Sequence, residues 1–114
     1  MSIENWSENI IVAELQDDPA FTDDLSALIE QVEHQTEQDV VLNLSGVNYV
    51  NSSNIAKLLK LWKRLISNRR KLVLCGIGNN VWGLFLVTGL DKVFEFADSV
   101  AMGLATVQIG AEQA

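Results

Sequence analysis

The chain has 114 residues, 48 % of them apolar and 20 % charged, enough to bury one core and too few for two ordinary ones. Its net charge of −7 opposes nonspecific binding to nucleic acid or anionic lipid, and a single His and a single Cys exclude both an intramolecular disulfide and a His/Cys metal site. No apolar run reaches the roughly 18 residues of a membrane span, and Met1-Ser2-Ile3-Glu4-Asn5 lacks the regions of a signal peptide, so a cytoplasmic protein without direct membrane insertion is expected.

In chain order, Asn9 to Leu15 is β-branched and apolar, and Gln16-Asp17-Asp18-Pro19 stops it with turn residues, which predicts a short strand. Thr22 is placed to cap a helix over Asp23 to His34, with Asp23 and Asp24 in its first turn and Leu25, Leu28, Ile29 and Val32 at helical spacing. Val40 to Leu44 reads as a central strand, after which Ser45-Gly46 turns the chain toward Val47, Tyr49 and Val50.

From Ser53 to Ser67, Ile55, Leu58, Leu59, Trp62, Leu65 and Ile66 recur at helical spacing, with Lys57, Lys60 and Arg64 on another stripe. Lys71 to Gly76 predicts a further buried strand, with Cys75 as a small hydrophobe inside it. Val81 to Val87 is helical and Thr88-Gly89 supplies a glycine C-cap. Phe94 to Phe96 reads as a brief edge strand, and Asp98 or Ser99 caps a last helix through Val100, Leu104 and Val107.

About four strands alternating with about four helices imply an α/β fold with a mixed, mostly parallel sheet. The expectation is one domain over residues 1–114, its core at about 9–109, with a polar tail at 110–114.

Charge is unevenly distributed. No Lys or Arg balances the acids before Val40, whereas Lys57, Lys60, Lys63, Arg64, Arg69, Arg70 and Lys71 crowd one segment, either a solvated helix face or a partner-facing surface. His34 falls at the end of an acidic helix, where it favourably meets the C-terminal dipole.

Catalysis finds no support, because Ser52 and Ser53 have only the remote His34 as a base, and Gly76-Ile77-Gly78 lacks the third glycine of a dinucleotide fingerprint. No cofactor, metal or catalytic residue is therefore expected. The remaining constellation is Asn51-Ser52-Ser53-Asn54, between a buried strand and a long amphipathic helix. Asn51 or Ser52 can serve as the N-cap, and a serine hydroxyl left free beside the first-turn N–H groups is a place where the helix dipole favours a phosphate.

The run Val40-Val41-Leu42-Asn43-Leu44-Ser45-Gly46-Val47-Asn48-Tyr49-Val50-Asn51-Ser52-Ser53 resembles the STAS signature, a hydrophobic strand, a turn, then Asp-Ser-Ser/Thr-Gly opening a helix. The likeness continues through Lys71 to Ile77 and through Leu86-Val87-Thr88-Gly89-Leu90-Asp91-Lys92-Val93-Phe94, which is similar to the family's Leu-x-x-Thr-Gly-Leu-x-x-x-Phe stretch. Asn51 stands where the family has Asp, Asn54 where it has Gly, and Leu15 to Pro19 replaces its Gly-x-Leu-Asp segment.

For fold and function the resemblance implies a STAS domain that acts as a non-catalytic interaction module of the anti-sigma-factor antagonist type. Its partner would be a kinase-type anti-sigma factor or related regulator, with a phosphatase as a further partner. Phosphorylation would fall on Ser52, or alternatively on Ser53. Partner contacts would come from Asn51, Ser52, Ser53, Asn54, Ile55, Ala56 and Lys57, with Lys60 and Arg64 added by the basic stripe. The alternative, motivated by Asn51 and Asn54, is a subunit that docks constitutively on an ATPase of lipid-transport type or on a signalling scaffold. A homodimer through Trp82, Phe85 and Leu86 is a further possibility.

Overall fold

Consecutive apolar residues along a strand can be buried only if both faces of the sheet are covered. The computed structural model, which describes the backbone of residues 3–113 and the side chains of residues 3–109, has this form. Strands β1 (Ile3–Ser7), β2 (Ile10–Gln16), β3 (Asp39–Gly46), β4 (Leu72–Cys75) and β5 (Glu95–Ala97) lie side by side in the order β1-β2-β3-β4-β5. β1 pairs antiparallel with β2, and the other pairings are parallel.

Helices α1 (Ala20–His34), α2 (Ser52–Ser67) and α3 (Asn79–Thr88) share the main core with one face of the sheet, and α4 (Val100–Gln113) covers the other. Strand alternation divides the apolar residues between them. Val40, Leu42 and Leu44 of β3 join the main core with Leu28 of α1 and Leu58 and Leu61 of α2, whereas Val41 packs with Val73, Cys75 and Val107 beneath α4.

Five strands are present rather than four. The additional strand is β1, whose Ile-Glu-Asn-Trp-Ser has no apolar alternation: Ile3 alone is half-buried, and the strand is held as an edge by its backbone pairing with β2. β3 continues through Ser45 and Gly46, where a turn was expected, because Gly46 still pairs with Gln16. β5 lies one residue later than expected, leaving Phe94 in the core before it. α4 runs past the expected end of the core at 109 to Gln113, and Ala114 lies outside the described residues.

α1 begins at Ala20, not Asp23, and Thr22 is not its cap. The N-cap position is Pro19, and Asp18 accepts a hydrogen bond from the Thr22 N–H at 2.9 Å and one from its hydroxyl at 2.6 Å. On α2, Leu61 is buried while Ile66, expected on the core side, is 45 % exposed. The expected Gly89 C-cap is present in the left-handed region, with φ 77°.

Gly103 sets the distance between α4 and the sheet. A Cβ there would stand 2.9 Å from Cγ1 of Val41, a β-branched side chain with little freedom to swing aside, and at an ordinary contact distance of 3.5 Å from Cγ1 of Val73. Gly103→Ala should therefore lower thermal stability by about 1 kcal/mol although alanine is the better helix former. An unchanged or raised Tm in a calorimetric scan would contradict this packing.

Candidate functional site

The start of α2 is assembled by residues far apart in sequence. Asn51 is the N-cap in extended conformation (φ −109°), and its Oδ1 accepts from the Asn54 N–H at 2.8 Å while the Asn51 N–H donates to Asn54 Oδ1 at 3.0 Å. This reciprocal capping box satisfies two N-terminal groups with amides alone. Of the two expected caps, Asn51 takes the role, so neither serine is needed for it.

A second layer fixes the box in place. The Asn54 Nδ2 amide donates to Asp18 Oδ2 at 2.9 Å, so Asp18 ties the start of α2 to the start of α1. Its neighbour Asp17 receives the backbone N–H and the side-chain amide of Asn48, both at 2.8 Å, and so holds the loop between β3 and α2. Neither these carboxylates nor Asn48 stood out in the sequence, where Asp17 and Asp18 read as turn residues; the pairings span 31 and 36 residues and leave no periodic trace.

Hydrogen bonds to Asn48, first through its side chain and then its backbone, hold the Asp17 carboxyl below its ordinary value of 3.8. The Thr22 hydroxyl, then the Asn54 amide, do the same for Asp18.

Ser52 and Ser53 are exposed, and their hydroxyls make no hydrogen bond among the described residues. Ala56 is also exposed, Lys57 is half-exposed, and Ile55 is half-buried against the core. Asn54 is displaced from its expected role. Expected among the partner contacts, it is 2 % exposed, and its side chain turns inward to Asn51 and Asp18. Tyr49, three residues before Ser52 and grouped in the sequence with the apolar Val47 and Val50, is 62 % exposed and supplies an aromatic surface.

The basic segment divides. Arg70 is turned inward to Asp39 at 3.0 Å, Lys71 reaches Glu95 at 3.8 Å, and Arg64 meets Glu33 of α1 at 3.0 Å. Lys60 and Lys63 are exposed and unpaired among the described residues, and with Arg64 and Ser67 they line a shallow cleft.

His34 lies in the last turn of α1, donating from Nδ1 to the Glu30 carbonyl at 2.8 Å, as its place near the helix dipole predicted. Cys75 is fully buried, its thiol directed at the Leu42 carbonyl at 3.3 Å, and burial pushes its pKa up to about 11, which keeps it a protonated core residue. Of the three residues expected at a dimer surface, Phe85 is fully buried, whereas Trp82 and Leu86 are exposed.

A family model described as STAS domain matches residues 9–103. Among solved structures, the chain is similar to an anti-sigma-factor antagonist (STAS) domain protein from Planctomyces limnophilus at 18 % identity, covering 93 % of this chain and 97 % of that one, with a TM-score of 0.80. RsbS of Moorella thermoacetica matches at 17 % identity over 97 % and 99 % of the two chains, with a TM-score of 0.77. The Bacillus cell fate determinant SpoIIAA in its phosphorylated form matches at 16 % identity over 92 % and 96 %, with a TM-score of 0.70.

Carboxylates whose pKa is lower in the folded than in the unfolded chain stabilise above the unfolded value and lose that contribution as pH falls through the folded one. Asp17 and Asp18 should thus make stability decline below about pH 4, near the ordinary value of 3.8. The double change Asp17→Asn, Asp18→Asn should flatten that acid limb in urea titrations. An acid limb identical to that of the unaltered chain would contradict the assignment.

Proposed function

This chain belongs to the STAS domain family, and from that premise we propose that it is a non-catalytic docking module of the anti-sigma-factor antagonist type, switched at Ser52. Its partner is a kinase-type anti-sigma factor or similar regulator, met at the start of α2. The observation that supports this reading is that the Asn51–Asn54 box does the capping, so the Ser52 and Ser53 hydroxyls stand exposed at a structured helix start.

A docking surface here combines Tyr49, Ser52, Ser53, Ala56 and the half-exposed Lys57. Tyr49 supplies the exposed aromatic area that interface centres are enriched in. A phosphate on Ser52 replaces a neutral hydroxyl by a group of charge about −1.5 to −2, which the helix N-terminus tolerates and a partner packed on the unphosphorylated surface does not. The switch therefore acts through charge and bulk at the contact. A phosphatase would restore the binding form.

Phosphorylation-independent docking on an ATPase of lipid-transport type or a scaffold is the second reading, supported by the exposed Lys60 and Lys63 beside Arg64. It places the contact further along α2 and makes it sensitive to salt.

Incubation with the cognate kinase and MgATP should add one phosphate, absent from Ser52→Ala, and Ser52→Asp should weaken partner binding at least tenfold, roughly 1.4 kcal/mol. Phosphate retained by Ser52→Ala, or full affinity in Ser52→Asp, contradicts the switch. Loss of binding in the double change Lys60→Glu, Lys63→Glu with Ser52→Asp unaffected would favour the second reading.

A further inference from the structure

A cavity of 280 Å³ opens where β4 and β5 end, walled by Gly76, Ile77, Asn79, Trp82, Phe96 and Asp98. None of its lining residues belongs to α2 or to the surface around Ser52. Trp82 of α3 and Phe96 of β5 meet at 86° with ring centroids 5.0 Å apart, forming an aromatic corner, and Trp82 remains 36 % exposed. Gly76 forms part of the wall with φ +70°, a conformation that side chains resist, and a Cβ there would come within 2.9 Å of Asn43 Oδ1.

The polar side of the cavity is acidic. Asp98 is exposed and has no ion-pair or hydrogen-bond partner among the described residues, and no cation lines the cavity. With a net charge of −7, the chain attracts cationic groups to this surface and opposes anionic ones. Two aromatic rings beside one free carboxylate match a guanidinium, whose plane stacks on a ring while its N–H groups meet the carboxylate. A Lys ammonium satisfies the carboxylate as a point charge but lacks the planar stacking.

We infer that this cleft receives an arginine side chain from a partner protein, a second contact point separate from Ser52. The inference is independent of the α2 reading, since it holds whether or not Ser52 is modified.

The test uses N-acetyl-arginine amide as the probe, titrated into the full ¹⁵N-labelled chain while the indole N–H signals of its three tryptophans are followed. The Trp82 signal, assigned by Trp82→Phe, should shift with saturation, while those of Trp6 and Trp62 stay in place. The citrulline analogue, with equal shape and no charge, should bind about tenfold more weakly because it loses both the ion pair and the cation–π contact, and the exposed change Asp98→Asn, which removes the ion pair alone, should weaken the arginine probe about threefold. Asp98→Asn leaves both rings in place, so the test does not depend on a core variant that fails to fold. Equal binding of the citrulline analogue, unaltered affinity in Asp98→Asn, or no response of Trp82 at saturating probe would overturn the inference. So would tighter binding of a neutral heteroaromatic, or concentration-dependent self-association that buries Trp82.

Discussion

Two adjacent carboxylates, Asp17 and Asp18, hold together the part of the molecule that faces outward. They sit where β2 gives way to α1; Asp17 reaches Asn48 in the segment between β3 and α2, and Asp18 reaches Asn54 in the first turn of α2. A parallel sheet brings these connections to the same end of its strands, so residues 31 and 36 positions apart become neighbours. The hydrogen bonds fix where α2 starts and what it shows to solvent. Core packing of Leu28 against Leu58 and Leu61 and the Arg64–Glu33 pair hold α2 along α1, and the Asp18–Asn54 bond adds a polar tie at the helix start.

The consequence is a division of labour at four consecutive residues. Asn51 and Asn54 supply structure, and Ser52 and Ser53 are left exposed between them. The substitution of Asn for the Asp and Gly of the STAS pattern reads in the sequence as damage to a phosphorylation motif. In the folded chain the same two amides cap each other, and the second also holds Asp18. Burial of Asn54 also means that the surface around Ser52 gains no extra side chain from it.

Much of the fold was legible because its strands and helices bury apolar residues at regular spacing. Val40, Val41, Leu42 and Leu44, with Leu58, Leu65 and Leu74, fall in the core as their apolar runs and spacing required. β1 was not legible, since an exposed edge strand held chiefly by its backbone pairing, with Ile3 alone against the core, imposes no apolar pattern. At the site, Ser52 was visible through a local motif and a helix start. Asp17, Asp18 and Asn48 were not, because their pairing is long-range and made of polar residues common in any turn. The basic stripe was only half informative: charge counting could not separate Lys60, which faces solvent, from Arg70, which turns inward to Asp39.

Everything proposed for Ser52 rests on its being free of the capping role. Comparing Asn51→Ala with Ser52→Ala in chemical denaturation of the full chain tests this directly. Loss of the true cap should cost about 1 kcal/mol, whereas truncating an exposed, uncommitted serine in the first turn should fall within about 0.5 kcal/mol of zero. The account predicts a clear loss for Asn51→Ala and none for Ser52→Ala. The reverse order would make Ser52 a structural cap and contradict the account.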